Sequence, residues 1–263
     1  MVLSVLAVEV GLATHVGRVR EINEDSLFTG ERLFVVADGM GGHAAGDVAS
    51  RTALDVMSRL DEAPVSAGAL RSSVATANRA VVDYGRAHPG ASGLGTTLAG
   101  VALVDECGAP HWAVFSIGDS RVYRLAEGSV RQITVDHSEV QELVAAGVLT
   151  RAEARVHPSR HIITRALGEL PEPELDVVMV PATGGERWLI TTDGLTSEVT
   201  DTAIAGLLAA QHGPSETASR LIDAALMAGG RDNISVIVVD VRDCDPDPLH
   251  GIGKTIPRPG HQE

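Results

Sequence analysis

Cysteine and aromatic residues are both scarce in this chain of 263 residues. The two cysteines, Cys107 and Cys244, have neither the spacing of a metal site nor the number needed for a disulfide framework. We therefore expect a reducing, cytoplasmic compartment. Aromatic residues make up only 3% of the chain, so its core has to be built mainly from Val, Leu, Ile and Ala.

Basic residues and long apolar runs are scarce as well. Lys254 is the only lysine, and 21 basic residues against 35 acidic ones give a formal net charge of −14. This balance argues against a nucleic-acid or anionic-membrane binder, and it fits either a plain acidic surface or carboxylates clustered around cations. The apolar residues 1–10 contain Glu9, lack a basic flank and are too short to span a bilayer, so we expect a first strand and no membrane insertion.

Hydrophobic periodicity predicts a mixed succession of strands and helices in one sizeable domain. Strands joined by tight turns favour antiparallel sheets over a doubly wound parallel sheet. The glycine-rich run 92–97 enters a strand rather than a helix, which argues against a phosphate-binding loop of the nucleotide-binding kind. The predicted helices are 44–61, 70–84, 203–211 and 215–228, and the predicted strands are 2–13, 33–37, 97–104, 111–117, 121–125, 174–181, 187–192 and 234–241.

One stretch stands out because an apolar run, residues 33–37, ends in Asp38 and is followed by three glycines within four residues. This pattern predicts a buried strand that delivers a carboxylate to a tight turn, since glycine tolerates sharp turns and close approach to a ligand. Taken alone, the motif is equally compatible with an ordinary Asp-Gly turn.

The pattern recurs along the chain. Asp193 ends a second apolar run, Asp232 precedes a third, and Asp119 lies in a turn between two predicted strands. A sandwich can bring such strand ends together, and ionised carboxylates in one place need a compensating cation. Ligation by oxygen alone favours Mg²⁺ or Mn²⁺ over Zn²⁺. Two such ions about 3.5–4 Å apart can activate a water for attack on phosphorus without a protein nucleophile.

These motifs, in this order and with the upstream Arg20 and Asn23-Glu24-Asp25, resemble the metal-dependent protein serine/threonine phosphatases of type 2C in their bacterial form. The resemblance covers about residues 10–242. It implies an α+β fold, a four-layer α/β/β/α sandwich in which two mainly antiparallel sheets pack face to face with helices outside each.

The expected domain organisation follows from this resemblance and from the composition of the chain. We expect a catalytic domain over residues 1–242, with a polar flap at about 136–165 that begins two short helices at the capping-box sequences of Ser138 and Thr150. Residues 243–263 contain four prolines and few apolar residues, which predicts a flexible C-terminal tail or linker stub.

The resemblance also implies a set of metal ligands for two ions. Asp38 bridges both ions, the Gly39 carbonyl joins one of them, and Asp193 and Asp232 hold the other. Glu24, together with Asp25, contacts metal-bound waters.

A third, weaker ion would involve Asp119. Members of the family usually carry an acidic residue four positions after the second Asp-Gly aspartate, but this chain has Ser197 there. A neutral hydroxyl is a poor ligand for a hard cation, so a third site is expected to be weaker still.

Three further residues receive roles from the resemblance. Arg20 grips the phosphoryl oxygens, which suits a bidentate guanidinium. Asn233 supports the ligands from behind, although a turn residue before a strand is the plainer interpretation. Animal members place a histidine directly after the first Asp-Gly, where this chain has Met40, and His43 three residues later is either the general acid or an ordinary surface or capping histidine.

We therefore expect a monomeric, cytoplasmic signalling enzyme that hydrolyses phosphoserine and phosphothreonine by a hydroxide that two Mn²⁺ or Mg²⁺ ions activate. Its expected partners are phosphorylated proteins, including the Ser/Thr kinases that it opposes, and not nucleic acid. One alternative is a regulatory phosphatase dedicated to a single signalling partner, of the kind that antagonises an anti-sigma factor. Another is a non-catalytic metal-binding relative, although such relatives typically lose metal aspartates that this chain keeps.

Overall fold

The computed structural model of this chain describes residues 5–41, 45–62, 65–91, 93–106 and 108–244. Within those ranges it contains eleven strands and seven α-helices. The strands are β1 (Val5–His15), β2 (Asp25–Thr29), β3 (Leu33–Met40), β4 (Gly95–Thr96), β5 (Leu98–Glu106), β6 (Ala109–Ile117), β7 (Arg121–Ala126), β8 (Ser129–Gln132), β9 (Asp176–Pro181), β10 (Arg187–Thr191) and β11 (Ile234–Cys244). The helices are α1 (Ala45–Ser58), α2 (Ala67–Ala87), α3 (Glu139–Ala145), α4 (Arg151–Ala154), α5 (Asp193–Thr196), α6 (Asp201–Ala209) and α7 (Pro214–Ala228).

The strands form two sheets in which every recorded pair is antiparallel. One sheet has the order β1-β11-β10-β7-β8, so that the first strand pairs with the last along its whole length. The other has the order β2-β3-β5-β6-β9, and the short β4 pairs with the end of β3. The tight turns between sequential strands explain why the sequence already favoured antiparallel pairing.

Three separate apolar clusters show how the layers are stacked. Side chains alternate along β3, so that Val35 and Ala37 pack with α1 and α2, whereas Phe34 and Val36 face the second sheet. The cluster between the sheets also contains Trp112 and Trp188, and a third cluster joins the second sheet to α5, α6 and α7. Helix, sheet, sheet and helix therefore follow one another, and the predicted four-layer sandwich is confirmed.

The structure adds elements that periodicity does not predict. No strand is predicted over residues 25–29, but β2 begins at Asp25 and pairs with β3. All five residues of β2 are half-buried, so the strand lacks the alternation that would reveal it. The prediction also ends the next strand at residue 37, whereas β3 continues through Asp38 to Met40 because β4 pairs with its last residues.

The flap stretch contains the two short helices that the sequence predicts, but only one has the complete capping box. The Thr150 side chain accepts from the Glu153 backbone and the Glu153 side chain accepts in return from the Thr150 backbone. Ser138 caps α3 through a single bond, from Gln141 N at 3.4 Å to its Oγ.

The last strand reaches Cys244, two residues beyond the predicted domain boundary at Arg242. Most of the predicted tail, residues 245–263, lies outside the described residues, and the domain division stays a prediction. Among the described helices none combines the length and the apolarity that a bilayer crossing requires.

Candidate active site

Four aspartates from distant parts of the chain meet at one end of the sandwich. Asp38 lies near the end of β3, Asp193 begins α5 two residues after the end of β10, and Asp232 stands two residues before β11. Asp119 occupies the turn between β6 and β7. All four line one cleft of about 540 Å³. Other residues that line it are Arg20, Glu24, Gly39, Met40, Thr97, Arg160, His161, Ser197, Glu198, Arg231 and Asn233.

The backbone at Asp38 is held by the neighbouring strand. Its N–H donates to Thr97 Oγ1 at 3.0 Å, and its carbonyl accepts from Thr97 N at 2.9 Å and from Thr96 Oγ1 at 2.9 Å. Glycine is required at the next position because a Cβ on Gly39 would lie 2.1 Å from the carbonyl oxygen of Gly46 in α1. The first turn of α1 can therefore approach the carboxylate-bearing end of β3.

The four aspartates are half-buried and their carboxylates repel one another. Burial raises the pKa of Asp38 well above its usual range, and the charges of Asp25 and Asp193 raise it further. Burial likewise raises the pKa of Asp119, with Asp193 as the next cause. The pKa of Asp193 is raised by burial and by Asp232, although the nearby His161 opposes this. Such a cluster is stabilised either by protons or by a cation.

Asp25 lies directly opposite Asp38 in the pairing of β2 with β3. Its Oδ2 accepts a hydrogen bond from Thr192 Oγ1 at 2.8 Å, and its buried Oδ1 has no partner among the described residues. Burial raises the pKa of Asp25 to about 7. A carboxyl oxygen that is buried and unpartnered is costly, which marks this position as one prepared for a further ligand or proton.

Glu24 and Asn233 are connected to each other. Asn233 Oδ1 accepts from Glu24 N at 2.8 Å, and Asn233 Nδ2 donates to the carbonyls of Val16 and Ile22 at 2.9 Å each. The Glu24 side chain accepts from Gly46 N at 3.2 Å. Asn233 therefore ties the connection before β2 to the start of β11.

Arg20 reaches the cleft and forms an ion pair with Asp232, with 2.8 Å between Nη2 and Oδ2. About half of its side chain remains exposed, at 52%. The hydrogen bond with Asp232 and the charge of that residue raise the pKa of Arg20. A guanidinium at this place can bind an anionic group in the cleft.

The donor set fits hard divalent cations. It consists of carboxylates and backbone carbonyls, with no cysteine in the cleft lining. In the described part of the chain no group of three or more His, Cys, Asp or Glu side chains is arranged to hold an ion on its own. Mg²⁺ in particular retains several waters and binds through one or two carboxylates, so an open cleft of this kind does not need a closed ligand cage.

Several lining residues are not predicted from the sequence. Glu198, the residue after Ser197, is buried and pairs with Arg231 at 2.9 Å rather than replacing the missing acidic ligand. His161 lines the cleft from the flap beside Arg160. The Oγ of Ser197 lies 3.5 Å from Asp193 Oδ2. His43 lies outside the described residues, and its role stays a prediction.

Comparison with known proteins gives a consistent result. Residues 15–227 match the family described as Protein phosphatase 2C. The chain is 42% identical over 234 residues to the serine/threonine protein phosphatase PstP of Mycobacterium tuberculosis, which is 87% of this chain and 44% of that protein. It therefore spans less than half the length of that relative. It is 35% identical over 236 residues to the serine/threonine phosphatase stp of Listeria welshimeri, covering 85% of this chain and 92% of the relative.

Solved structures agree with the sequence comparison. The crystal structure of the Mycobacterium tuberculosis phosphatase PstP/Ppp superposes with a TM-score of 0.84 at 38% identity, covering 89% of this chain and 99% of that one. The catalytic domain of PstP in complex with two manganese ions gives a TM-score of 0.83 at 38% identity, over 91% of this chain and 100% of that one.

Proposed function

This chain belongs to the protein phosphatase 2C family, and on that premise we propose that it hydrolyses phosphoserine and phosphothreonine in proteins with the help of two Mn²⁺ or Mg²⁺ ions. The single observation that carries the proposal is the convergence of Asp38, Asp193 and Asp232 in one cleft with Arg20. The names of the curated relatives support the substrate class, and the two manganese ions in the PstP structure support the cofactor.

Five residues are proposed to hold the cations. Asp38, the Gly39 carbonyl, Asp193 and Asp232 would do so directly, and Glu24 would do so through water. When bound, the ions would supply an activated water and would offset the charge of the phosphoryl group. Asp119 and the neutral Ser197 would offer a weaker third site.

The residues around the ligands keep them in place before substrate binds. Thr97 holds the Asp38 backbone on both sides, Thr192 holds Asp25, and Asn233 holds Glu24. Partners behind metal ligands commonly orient them in this way, and we propose that Asp25 and Asn233 serve so here. Preorganisation lowers the reorganisation that the reaction requires.

Arg20 is proposed to bind the phosphoryl group. Its Nη2 pairs with Asp232, and among the described residues Nε and Nη1 have no hydrogen-bond partner. Two free donors of one guanidinium match two phosphoryl oxygens. His43 stays the candidate that protonates the leaving serine or threonine oxygen.

The proposal extends to partners and location. Substrates would be phosphorylated proteins, Ser/Thr kinases among them, and the enzyme would act in signalling as a cytoplasmic monomer. The dedicated regulatory phosphatase gains no support from the relatives' names. The non-catalytic alternative is disfavoured because the three aspartates line the cleft together.

Hydrolysis of a phosphothreonine peptide, followed by phosphate release with and without Mn²⁺, tests the proposal. We expect turnover that exhaustive chelation abolishes and that Mn²⁺ restores. Asp223→Asn removes one carboxylate from an exposed position of α7 and serves as the matched control for Asp193→Asn. Turnover that survives chelation, or that Asp193→Asn leaves intact, would exclude this mechanism.

A further inference from the structure

We propose that His137 is a positioning residue that locks the Asp119 turn to the base of the flap, a role that rests on the phosphatase function proposed above. His137 is the second residue of the flap, and its side chain is only 6% exposed. It lies outside the set of residues that line the cleft, among the described residues, yet both of its ring nitrogens are engaged.

Two hydrogen bonds join His137 to Gly118, the residue before Asp119. The His137 backbone N–H donates to the Gly118 carbonyl at 2.9 Å, and Gly118 N–H donates to the ring Nδ1 at 3.1 Å. Gly118 has a φ of +100°, which L side chains rarely adopt. The turn that carries Asp119 is therefore unusual in its backbone and is held by a side chain from the flap.

The hydrogen-bond network fixes the tautomer of the ring. Nδ1 faces a backbone N–H and has to accept, so the proton of the neutral imidazole resides on Nε2. Nε2 then donates to Asp176 Oδ2 at 3.1 Å. Arg165 Nη1 lies 3.3 Å from Nε2 and 3.2 Å from the other carboxylate oxygen, Asp176 Oδ1. Because the proton on Nε2 leaves that nitrogen unable to accept, Arg165 donates to Asp176 Oδ1. Asp176 thus orients the ring from the start of β9, and Arg165 orients Asp176.

The same residue closes the base of the flap. Thr164 N donates to the His137 carbonyl at 2.8 Å, and Glu139 N donates to the Ile162 carbonyl at 2.9 Å. The returning chain then pairs with β4 through Leu167 and Thr96. Thr96 Oγ1 in turn donates to the Asp38 carbonyl. One end of the flap is consequently tied to the Asp119 turn, and the residues that follow its other end are tied through Thr96 to the Asp38 end of β3.

This arrangement couples the flap to the weakest of the proposed cation sites. Burial and the neighbouring carboxylates disfavour the ionised form of Asp119, and the neutral Ser197 contributes no charge. Its position depends on the turn, and the turn depends on the acceptor at Nδ1 of His137. Loss of that acceptor would release both the Asp119 carboxylate and the flap residues Arg160 and His161 that line the cleft.

Two substitutions separate the contact at Nδ1 from the contact at Nε2. In His137→Asn the amide oxygen is attached at Cγ, as Nδ1 is, and can still accept from Gly118. In His137→Gln the amide is one atom further out, where it can reach Asp176 but not Gly118. His111→Gln, at the opposite end of β6, is the matched control.

Two measurements need no substrate. Amide hydrogen exchange at Gly118 should quicken in His137→Gln and stay slow in His137→Asn and in the control. Calorimetric titration with Mn²⁺ at fixed pH should show the weakest site lowered in affinity by about 10- to 100-fold in His137→Gln, the usual consequence of removing a partner behind a ligand. The stronger sites should change little.

Activity then gives a third test on phosphothreonine peptides. His137→Gln should need more Mn²⁺ for half-maximal turnover than His137→Asn. Equal losses in both variants, or no change in either, would overturn the positioning role. If His137→Gln does not fold, Asp176→Ala removes the acceptor that keeps the proton on Nε2 and so frees the ring to lose its bond from Gly118. Unchanged Mn²⁺ affinity in that variant would also overturn the positioning role. A wild-type protein that binds Mn²⁺ but hydrolyses no phosphopeptide would refute the proposed function alone, because exchange and titration remain readable.

Discussion

The two ends of the sandwich treat buried carboxylates in opposite ways. At the end away from the cleft, Glu186 is 1% exposed and pairs with Arg124 at 2.5 Å, and Asp240 pairs with Arg187 at 2.5 Å. At the cleft end, Asp38 and Asp193 have no basic side chain within ion-pair distance among the described residues. The chain thus supplies cations for Glu186 and Asp240 and leaves Asp38 and Asp193 without them.

This difference separates carboxylates that are satisfied within the fold from those proposed to hold cations. Trp112 Nε1 and the Thr183 backbone also donate to Glu186, so that its charge is satisfied within the fold. Asp38, Asp119 and Asp193 instead have raised pKa values, caused first by burial and then by the charges of neighbouring aspartates. Perturbed groups in a cleft commonly mark a functional site, and here they indicate that the missing charge has to come from outside.

The largest expected contrast comes from removing one acid at each end. Asp38→Ala should abolish nearly all turnover, while the metal-free protein melts at the same or a higher temperature because a source of repulsion is gone. Asp240→Ala should leave an unpaired buried Arg187 and lower the free energy of unfolding by about 3–5 kcal/mol. The folded fraction should keep its activity. Thermal unfolding and phosphopeptide hydrolysis should be measured on both variants. Loss of stability in Asp38→Ala together with loss of turnover in Asp240→Ala would contradict the comparison.

The pH dependence of stability should differ between metal-free and Mn²⁺-bound protein. Burial raises the pKa of Asp25 from 3.8 to about 7, so between those values the folded protein keeps a proton that the unfolded chain has released. The free energy of unfolding of the metal-free protein should therefore fall as the pH rises from about 4 to about 7.

Mn²⁺ should reverse that slope and stabilise the protein by about 2.7 kcal/mol when its concentration is 100 times the dissociation constant. Denaturant titrations at several pH values, with and without Mn²⁺, provide the measurement. A metal-free protein that gains stability over this range would show that the carboxylates are compensated within the chain, as they are at the far end.

At the cleft end, Arg20 pairs with the predicted metal ligand Asp232. Removing Arg20 should sharpen the contrast between the two ends of the sandwich. Arg20→Ala should raise KM by about tenfold or more, the equivalent of a charge-assisted hydrogen bond of about 1.5 kcal/mol. The change in kcat should be smaller, since a phosphate contact acts in both ground and transition states. Arg18→Ala in the same exposed connection is the control. A fall in kcat with constant KM would instead assign Arg20 to transition-state stabilisation.

The sequence predicts the fold and the principal aspartates because both leave local signals. Asp38 and Asp193 follow buried apolar runs, and tight turns between strands indicate antiparallel sheets. The four-layer order itself is implied by the resemblance to the type 2C phosphatases. Local signals fail where the partner is remote. Glu198 forms an ion pair with Arg231, which lies 33 positions later in the chain. The half-buried β2 shows no alternation of buried and exposed residues. His137 stands in a polar stretch whose sequence does not indicate its contacts with Gly118 and Asp176.

Ser197→Asp should produce the smallest effect and test how far the cleft end can be compensated. Ser197 is exposed and its Oγ lies 3.5 Å from Asp193 Oδ2, so an aspartate there adds a third carboxylate beside Asp119 and Asp193. We expect calorimetry at fixed pH to show a tighter third Mn²⁺ site and unchanged stronger sites, because an ionised carboxylate is a better ligand for a hard ion than a hydroxyl. Ser197→Asn, of similar shape without the charge, should bind as the wild type does. If the unmodified protein already binds three ions with similar affinity, ligand charge does not set this site, and a backbone carbonyl or the flap near Ser159 and Arg160 has to complete it.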